Sequence, residues 1–452
     1  MTLKATGIYT MKNLIFLSLI LISLYSKAQE QWDLEKCLRY AVENNLQIKN
    51  QEANEEIAKN NVLQSKANLF PTLNAAGSQS VNWGRTNDPT TFQFVTQSIM
   101  TGSYSLSSGI DIFTGLRNLN TIQQSKLQHQ ASHFTTEATK NSVLLSVTNS
   151  YLQILLANET LKSLQEQAAI TQGQLERTQK LFQAGAIAEG GLLNIQSQLA
   201  NDSLNIVTAQ NNLDIAKLSL ALLLQLDPNN FQVSVPELSD VIPPLDVQGA
   251  EGIFAYAVNN QPEIKSAEFS FRAAQKTLNV ARGLNYPTLT LFGNLRSSYS
   301  SYEFLPFITK DPFFTQFGNN FNQTVGLQLS IPILNNLQTF TSVKNTKLQI
   351  QQAQYNNEAA KNQLKQDIYT AYADAKAASQ RYYAFKKSVE SLGVTFTYAE
   401  TSFQLGANNA LDYATAKSNL TIAQINLINA KYQYIFKLKV LDFYQGKPIT
   451  LQ

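Results

Sequence analysis

The sequence holds one cysteine, and that single residue excludes a disulfide framework. Proline is rare where loops would need it: the twelve prolines leave 90–227 and 333–447 empty. Glycine is as scarce, with only Gly173 within 116–184 and only Gly393 within 338–405. Charged residues make up 15% of the chain and form no blocks, which argues against a disordered tail. No HExxH, GxSxG or Walker pattern occurs, so no enzymatic reading has support. Beyond the first 28 residues there is no run of some twenty apolar residues, so no membrane-spanning helix is expected there.

What is present begins with a secretory leader. Met11-Lys12 gives a short positive region, Leu14 to Leu24 an apolar core, and Ser26-Lys27-Ala28 a small-x-small cleavage site. The reading is a signal peptide over 1–28, with Met11 the candidate true start and Gln29 the first mature residue. The net charge of +3 resides in Lys4, Lys12 and Lys27; the remainder balances at 32 basic against 32 acidic residues, with no nucleic-acid footprint. Cys37 lies eight residues beyond the cleavage site, so it is not placed for lipidation and reads as a small buried residue on a helix face.

The chain repeats itself. "NLFPTLNAAG" at 68–77 and "LNYPTLTLFG" at 284–293 stand 216 positions apart, in a register that also aligns Tyr40-Ala41-Val42 with Tyr256-Ala257-Val258. From about residue 110 the offset becomes 221 and holds through Tyr151/Tyr372, Gly185-Ala186/Gly406-Ala407 and Leu220/Leu441. The whole length difference between the copies falls between about 78 and 109, which marks a surface loop beside a rigid frame. The expected organisation is a first repeat over 29–226, a proline-bearing connector over 227–249, a second repeat over 250–445 and a tail over 446–452.

Each long glycine- and proline-poor span predicts an uninterrupted helix of about 68 residues, roughly 100 Å at 1.5 Å per residue. After Gly185 and Gly406 a 3-4 apolar spacing resumes: Leu192, Ile195, Leu199, Asp202, Ile206, Ala209, Leu213, Ala216, Leu220 and Leu223 in one copy. The other copy has Tyr413, Ala416, Leu420, Ala423, Leu427, Ala430, Tyr434, Lys437 and Leu441. Such spacing predicts helices packed side by side.

Period two replaces it between the helices. "VGLQLSIPI" sets Val325, Leu327, Leu329, Ile331 and Ile333 against Gly326, Gln328, Ser330 and Pro332. Tyr104, Leu106, Ile110 and Ile112 alternate with mostly serine in the other copy, with one lapse at Ser108. With partners near 72–83 and 288–302, each repeat offers one hairpin, about 72–113 and 288–334, long enough to cross a bilayer when tilted. Four strands with an apolar outer face cannot stand alone in lipid. Two open edges would leave unpaired backbone groups in hydrocarbon at several kcal/mol each. Several copies must pool their strands into a closed barrel.

The order of parts resembles the TolC-type outer-membrane efflux and secretion channels. Those parts are a leader, "WDLEKCLRYAVENN", a Pro-Thr-Leu corner, a hairpin, a long helix, a Phe-x-x-Gly tip and a returning helix, then the same again. The resemblance covers about residues 31 to 445. It implies a mainly α protein with a transmembrane β-hairpin pair: a tandem-repeat helical barrel and four strands per protomer, completing twelve strands as a homotrimer. It also implies an outer-membrane location and docking to a periplasmic adaptor and an inner-membrane pump. A resistance–nodulation-type pump is favoured over an ABC system on frequency alone. No cofactor is implied, and the cargo is not legible.

Pro71 and Pro287 then mark where helix becomes strand, since a helix cannot continue through proline. The tips, Gly185, Ala186, Gly406 and Ala407, are the expected adaptor-docking and aperture region. The family's carboxylate six residues past the glycine is matched by Asp412, a candidate for a ring of negative charge, but Gly191 stands at the other place. Asp412 could instead simply favour a helix N-terminus. His129 and His133, four apart on one helix face, could bind a metal but read more simply as solvated or tunnel-facing. Aromatics around Trp83, Phe92, Phe94, Tyr299, Tyr302, Phe304, Phe307, Phe313, Phe314 and Phe317 suggest an interfacial girdle or a capped outer loop. The competing readings are a soluble periplasmic coiled-coil scaffold or adaptor, which needs no strands, and a trimeric coiled-coil adhesin.

Overall fold

A computed structural model describes residues 31–87, 92–96, 98–236, 242, 244, 249–301, 311–407 and 409–450. In chain order the elements are β1 (Gln31–Trp32), α1 (Leu34–Asn44), α2 (Leu46–Ala67), β2 (Thr72–Asn82), β3 (Arg85–Asn87), β4 (Phe94–Thr96), β5 (Ile99–Phe113), α3 (Arg117–Gln183) and α4 (Glu189–Leu224). A 3₁₀ turn at Pro228–Asn230 and β6 (Gln232–Val233) lead to α5 (Gly249–Asn260), α6 (Pro262–Gly283), β7 (Thr288–Ser300), α7 (Phe313–Asn319) and β8 (Asn322–Ser330). The chain ends in α8 (Gln338–Gln404) and α9 (Ala410–Tyr444). The helices α3 and α8 have 67 residues each, and Gly173 and Gly393 interrupt neither. Two compact units result. One gathers 51–136 and 262–360; the other gathers 1–50, 137–261 and 361–452.

The first unit carries a four-stranded antiparallel sheet in the order β2-β5-β7-β8. Its register sorts the side chains by face. Leu106 stands between Ala75 and Leu295, and Leu291 between Ile110 and Leu327, with Leu289 opposite Leu329 and Gly293 opposite Val325. Alternation puts all of these on one face. The other face carries Ser103, Ser105, Ser107, Asn294, Thr324 and Gln328. On the apolar face Val325, Leu327 and Leu329 are 80%, 62% and 61% exposed, so no described residue covers them.

Two details differ from the sequence pattern. The last strand stops at Ser330, leaving Ile331, Pro332 and Ile333 beyond it. A bulge between Asp111 and Phe113 lets Phe113 take the place opposite Leu289, so Ile112 leaves the alternation. The lapse at Ser108 falls between Leu73 and Gly293, where the neighbouring strands bring one large and one absent side chain.

Helix and strand meet at sharp corners. The chain leaves α2 and α6 through turns closed by Phe70 N–H donating to Ala67 O (2.9 Å) and Tyr286 N–H to Gly283 O (3.2 Å), each just before proline. The return corners also repeat: Gly115-Leu116 and Asn336-Leu337 all have positive φ, and Arg117 N–H to Thr114 O is matched by Gln338 N–H to Asn335 O. A side chain at Gly115 would put a Cβ 2.5 Å from Tyr286 Cβ and 2.7 Å from Gly283 O, so the two corners of the sheet's central strands pack backbone to backbone there. Below them α3 holds α6 through Thr135–Ser266 (2.8 Å), Ser266 Oγ to Ala131 O (3.0 Å) and stacked Phe134 and Phe269.

The second unit is helical. Val147, Tyr151, Ile154 and Leu155 of α3 pack with Leu213, Leu220 and Leu224 of α4 and with Cys37 and Ala41 of α1. Cys37 is fully buried, and burial pushes its thiol up to about 12. Parallel pairing of β1 with β6 ties the start of the described chain to the connector. Trp32 there covers Tyr40 and Phe231, and the Tyr151 hydroxyl donates to Ser234 O at 2.6 Å.

Candidate functional site: the helix tips and the buried network behind them

Both long helices end in the same way. The residues Gly185 and Gly406 adopt φ of +69° and +73°. Ala186 N–H donates to Leu181 O and Ala407 N–H to Ser402 O, both at 2.9 Å, while each glycine N–H reaches back three residues. This six-to-one bond with a left-handed glycine is the Schellman ending, which satisfies the last carbonyls and reverses the chain. A β-carbon at either glycine would meet no atom of the described residues within 4 Å, so the positive φ is what favours glycine.

The restarts differ. The α4 N-cap, Ala188, has no capping side chain, whereas Asn409 caps α9 by accepting from Asp412 N–H at 2.9 Å. Asp412 is exposed in the first turn of α9, where its charge also suits the helix dipole. Asn408 lies outside the described residues. Tyr413, next to Asp412, is fully buried and stacks on Phe403 at 5.3 Å; burial raises its hydroxyl to about 12.

One turn further on, the structure shows what periodicity missed. Lys417, 1% exposed, points its ammonium at Asp202 Oδ2 (3.0 Å), Gln167 O (2.9 Å) and the Thr171 hydroxyl. Thr171 also meets Asp202, whose other oxygen accepts from Gln198 Nε2 at 2.9 Å; Gln167 Nε2 reaches Gln424 at 3.0 Å. The network joins α3, α4 and α9. It has no repeat copy, because Gln196 and Ala423 stand where Lys417 and Asp202 would recur. Desolvation pulls the Lys417 ammonium below the ordinary lysine value of 10.5, and Asp202 pulls it back. The sign follows: the buried charge weighs against the fold below the folded value, and stability rises with pH between that value and 10.5.

His129 and His133 both lie on α3. His133 Nδ1 lies 2.9 Å from Glu55 Oε1 across to α2, a carboxylate partner that sequence distance concealed. Burial opposes ionisation of Glu55, but hydrogen bonds from Thr136 and His133 outweigh it and hold the carboxyl below its usual range. Among the described residues no cluster of three or more potential metal ligands occurs. The aromatics of the outer hairpin are partly a packed cluster: Phe313 and Phe317 of α7 lie against Tyr104 at 5.7 and 5.8 Å, while Phe314 is 84% exposed. Trp83, Phe92 and Phe94 are exposed; Tyr302, Phe304 and Phe307 lie outside the described residues.

Long unbroken helices, paired reversals at their tips and a two-faced sheet whose apolar side is bare along β8 fit a channel-forming protein of the outer membrane. Among the described residues no helix is long and apolar enough to cross a membrane. The outer membrane efflux protein family matches residues 38–225 and 255–446, and the chain belongs to that family. The chain is 23% identical over 445 residues to outer membrane protein TolC of Vibrio cholerae, covering 96% of this chain and 94% of that one. It is 22% identical to a probable outer membrane lipoprotein, SilC, of Salmonella typhimurium over 87% of this chain and 81% of that one. The fold matches the CmeC outer membrane channel of Campylobacter jejuni with a TM-score of 0.76 at 21% identity, over 91% of this chain and 85% of that one. The protein is an outer-membrane channel of the efflux type.

Proposed function

We propose that three copies close the free edges of β2 and β8 into a twelve-stranded barrel and form a passive conduit. The conduit takes cargo from an inner-membrane pump, recruited through a periplasmic adaptor, to the outside. The observation that carries this reading is the sheet: among the described residues each edge strand has one neighbour, and the apolar face is exposed along β8, while α7 packs over its Tyr104 end. Closure by identical copies satisfies both edges at once. The tandem repeats over 29–226 and 250–445 give each protomer two hairpins and two tips, and Gly185, Ala186, Gly406 and Ala407 form the adaptor contact. A resistance–nodulation-type pump is the preferred partner. An acyl anchor on Cys37 is not part of this reading; its burial in the α1 packing supports that.

Three copies of Asp412 ring the aperture and favour cations. In planar bilayers the purified protein is expected to conduct with cation preference, and Asp412→Ala to lose most of that preference. Conductance with unchanged selectivity in the variant would remove the ring; absence of any conductance would remove the conduit.

A further inference from the structure

The sheet-bearing unit contains a cavity of about 750 Å³ between α2, α3 and α6. Lys59 and Lys66 of α2, Lys126 of α3 and Lys276 of α6 reach it, and its apolar lining comes from Val62, Leu63 and Leu127. Among the described residues no carboxylate lines it. Lys59 is neutralised by Glu56 at 2.9 Å, and Glu55 is engaged by His133. Lys66, Lys126 and Lys276 have no ion-pair partner among the described residues, although charges crowded on one cavity repel one another. His129 also lines it.

The helices α2, α3 and α6 adjoin β2, β5 and β7, which are consecutive neighbours in the sheet. On the conduit reading these three helices are consecutive staves of the barrel wall, and the cavity that α2 and α6 share across α3 is read as opening on its inner side. That inner side is the lumen.

We infer that this cavity is a transit site for amphiphilic anions, with the three unpaired lysines taking a sulfonate, carboxylate or phosphate head and Leu63 and Leu127 taking its apolar body. Unpaired ammonium groups beside aliphatic side chains complement both halves of such a molecule. A cationic amphiphile matches only the apolar half, and an inorganic anion only the charged half. On the same reading the Asp412 ring and this cavity select on opposite charge. The transit role rests on the lumen reading above.

The test uses the full-length protein in zwitterionic nanodiscs, with octane-1-sulfonate binding measured by calorimetry against octyltrimethylammonium, octanol and sulfate. The sulfonate alone is expected to bind saturably, one per protomer, and Lys66→Gln/Lys126→Gln/Lys276→Gln to weaken it at least tenfold while leaving the assembly intact. Equal binding of the octyl cation, or an unchanged triple variant, overturns the site. Copy number in the same sample is read separately. A single-copy preparation that still binds the sulfonate sinks the lumen and the transit role but leaves an anion cavity, whereas an assembled channel that ignores the sulfonate sinks this inference alone.

Discussion

Lys417→Ala is expected to cost the assembled protein about 3–5 kcal/mol, the range for stranding one member of a buried ion pair. The variant leaves Asp202 at 7% exposure with its cation gone and only Thr171 and Gln198 beside it. Three helices lose a shared anchor together, so the loss should appear as a lower helical melting temperature and as earlier protease cleavage near the α9 tip. Asp202→Ala should match it from the other side. The informative variant is Lys417→Met/Asp202→Leu, which removes both charges and keeps most of the volume. If the pair's cost is desolvation, the double variant recovers most of the lost stability. A double variant as weak as the sum of the singles would show that the network holds the helices by its hydrogen bonds and not merely by avoiding a stranded charge.

The second large effect tests the two faces of the sheet. Leu327→Arg places a charge on the bare apolar face of β8, where a lipid-facing arginine near the bilayer midplane costs about 2–4 kcal/mol. A threefold assembly would carry the change three times. Gln328→Arg, one residue on, places the same charge on the face of Ser107, Asn294 and Thr324 and should leave assembly intact. Outer-membrane yield of the assembled form is the readout: near loss for Leu327→Arg, near normal for Gln328→Arg. Equal tolerance at both positions would mean that the apolar face does not meet lipid.

Much of this frame was legible because repetition and periodicity are local. The fixed offset of 221 and the missing prolines expose α3 and α8, and period two exposes β5 and β8 to within a few residues. The corners at Pro71 and Pro287 announce themselves twice. Contacts between distant residues did not. Asp202 sits in the apolar seam by spacing, but its partner Lys417 is 215 positions away and absent from the seam pattern, so nothing in the sequence pairs them. The parallel β1–β6 pair is two residues long, too short for any period. The left-handed Leu116 and Leu337 defeat propensity altogether, since leucine does not advertise positive φ. The lysine cavity gathers α2, α3 and α6; the offset of 216 relates α2 to α6, but it sets Lys66 against Arg282 and Lys276 against Asn60, so the repeat does not announce the cluster.

Copy number decides the central claim. Native mass measurement of the detergent-released outer-membrane protein should give three times the mature chain, collapsing to one on heating as the shared sheet opens. A particle of one chain, before heating, would contradict it: four strands with two open edges would then be standing in lipid alone.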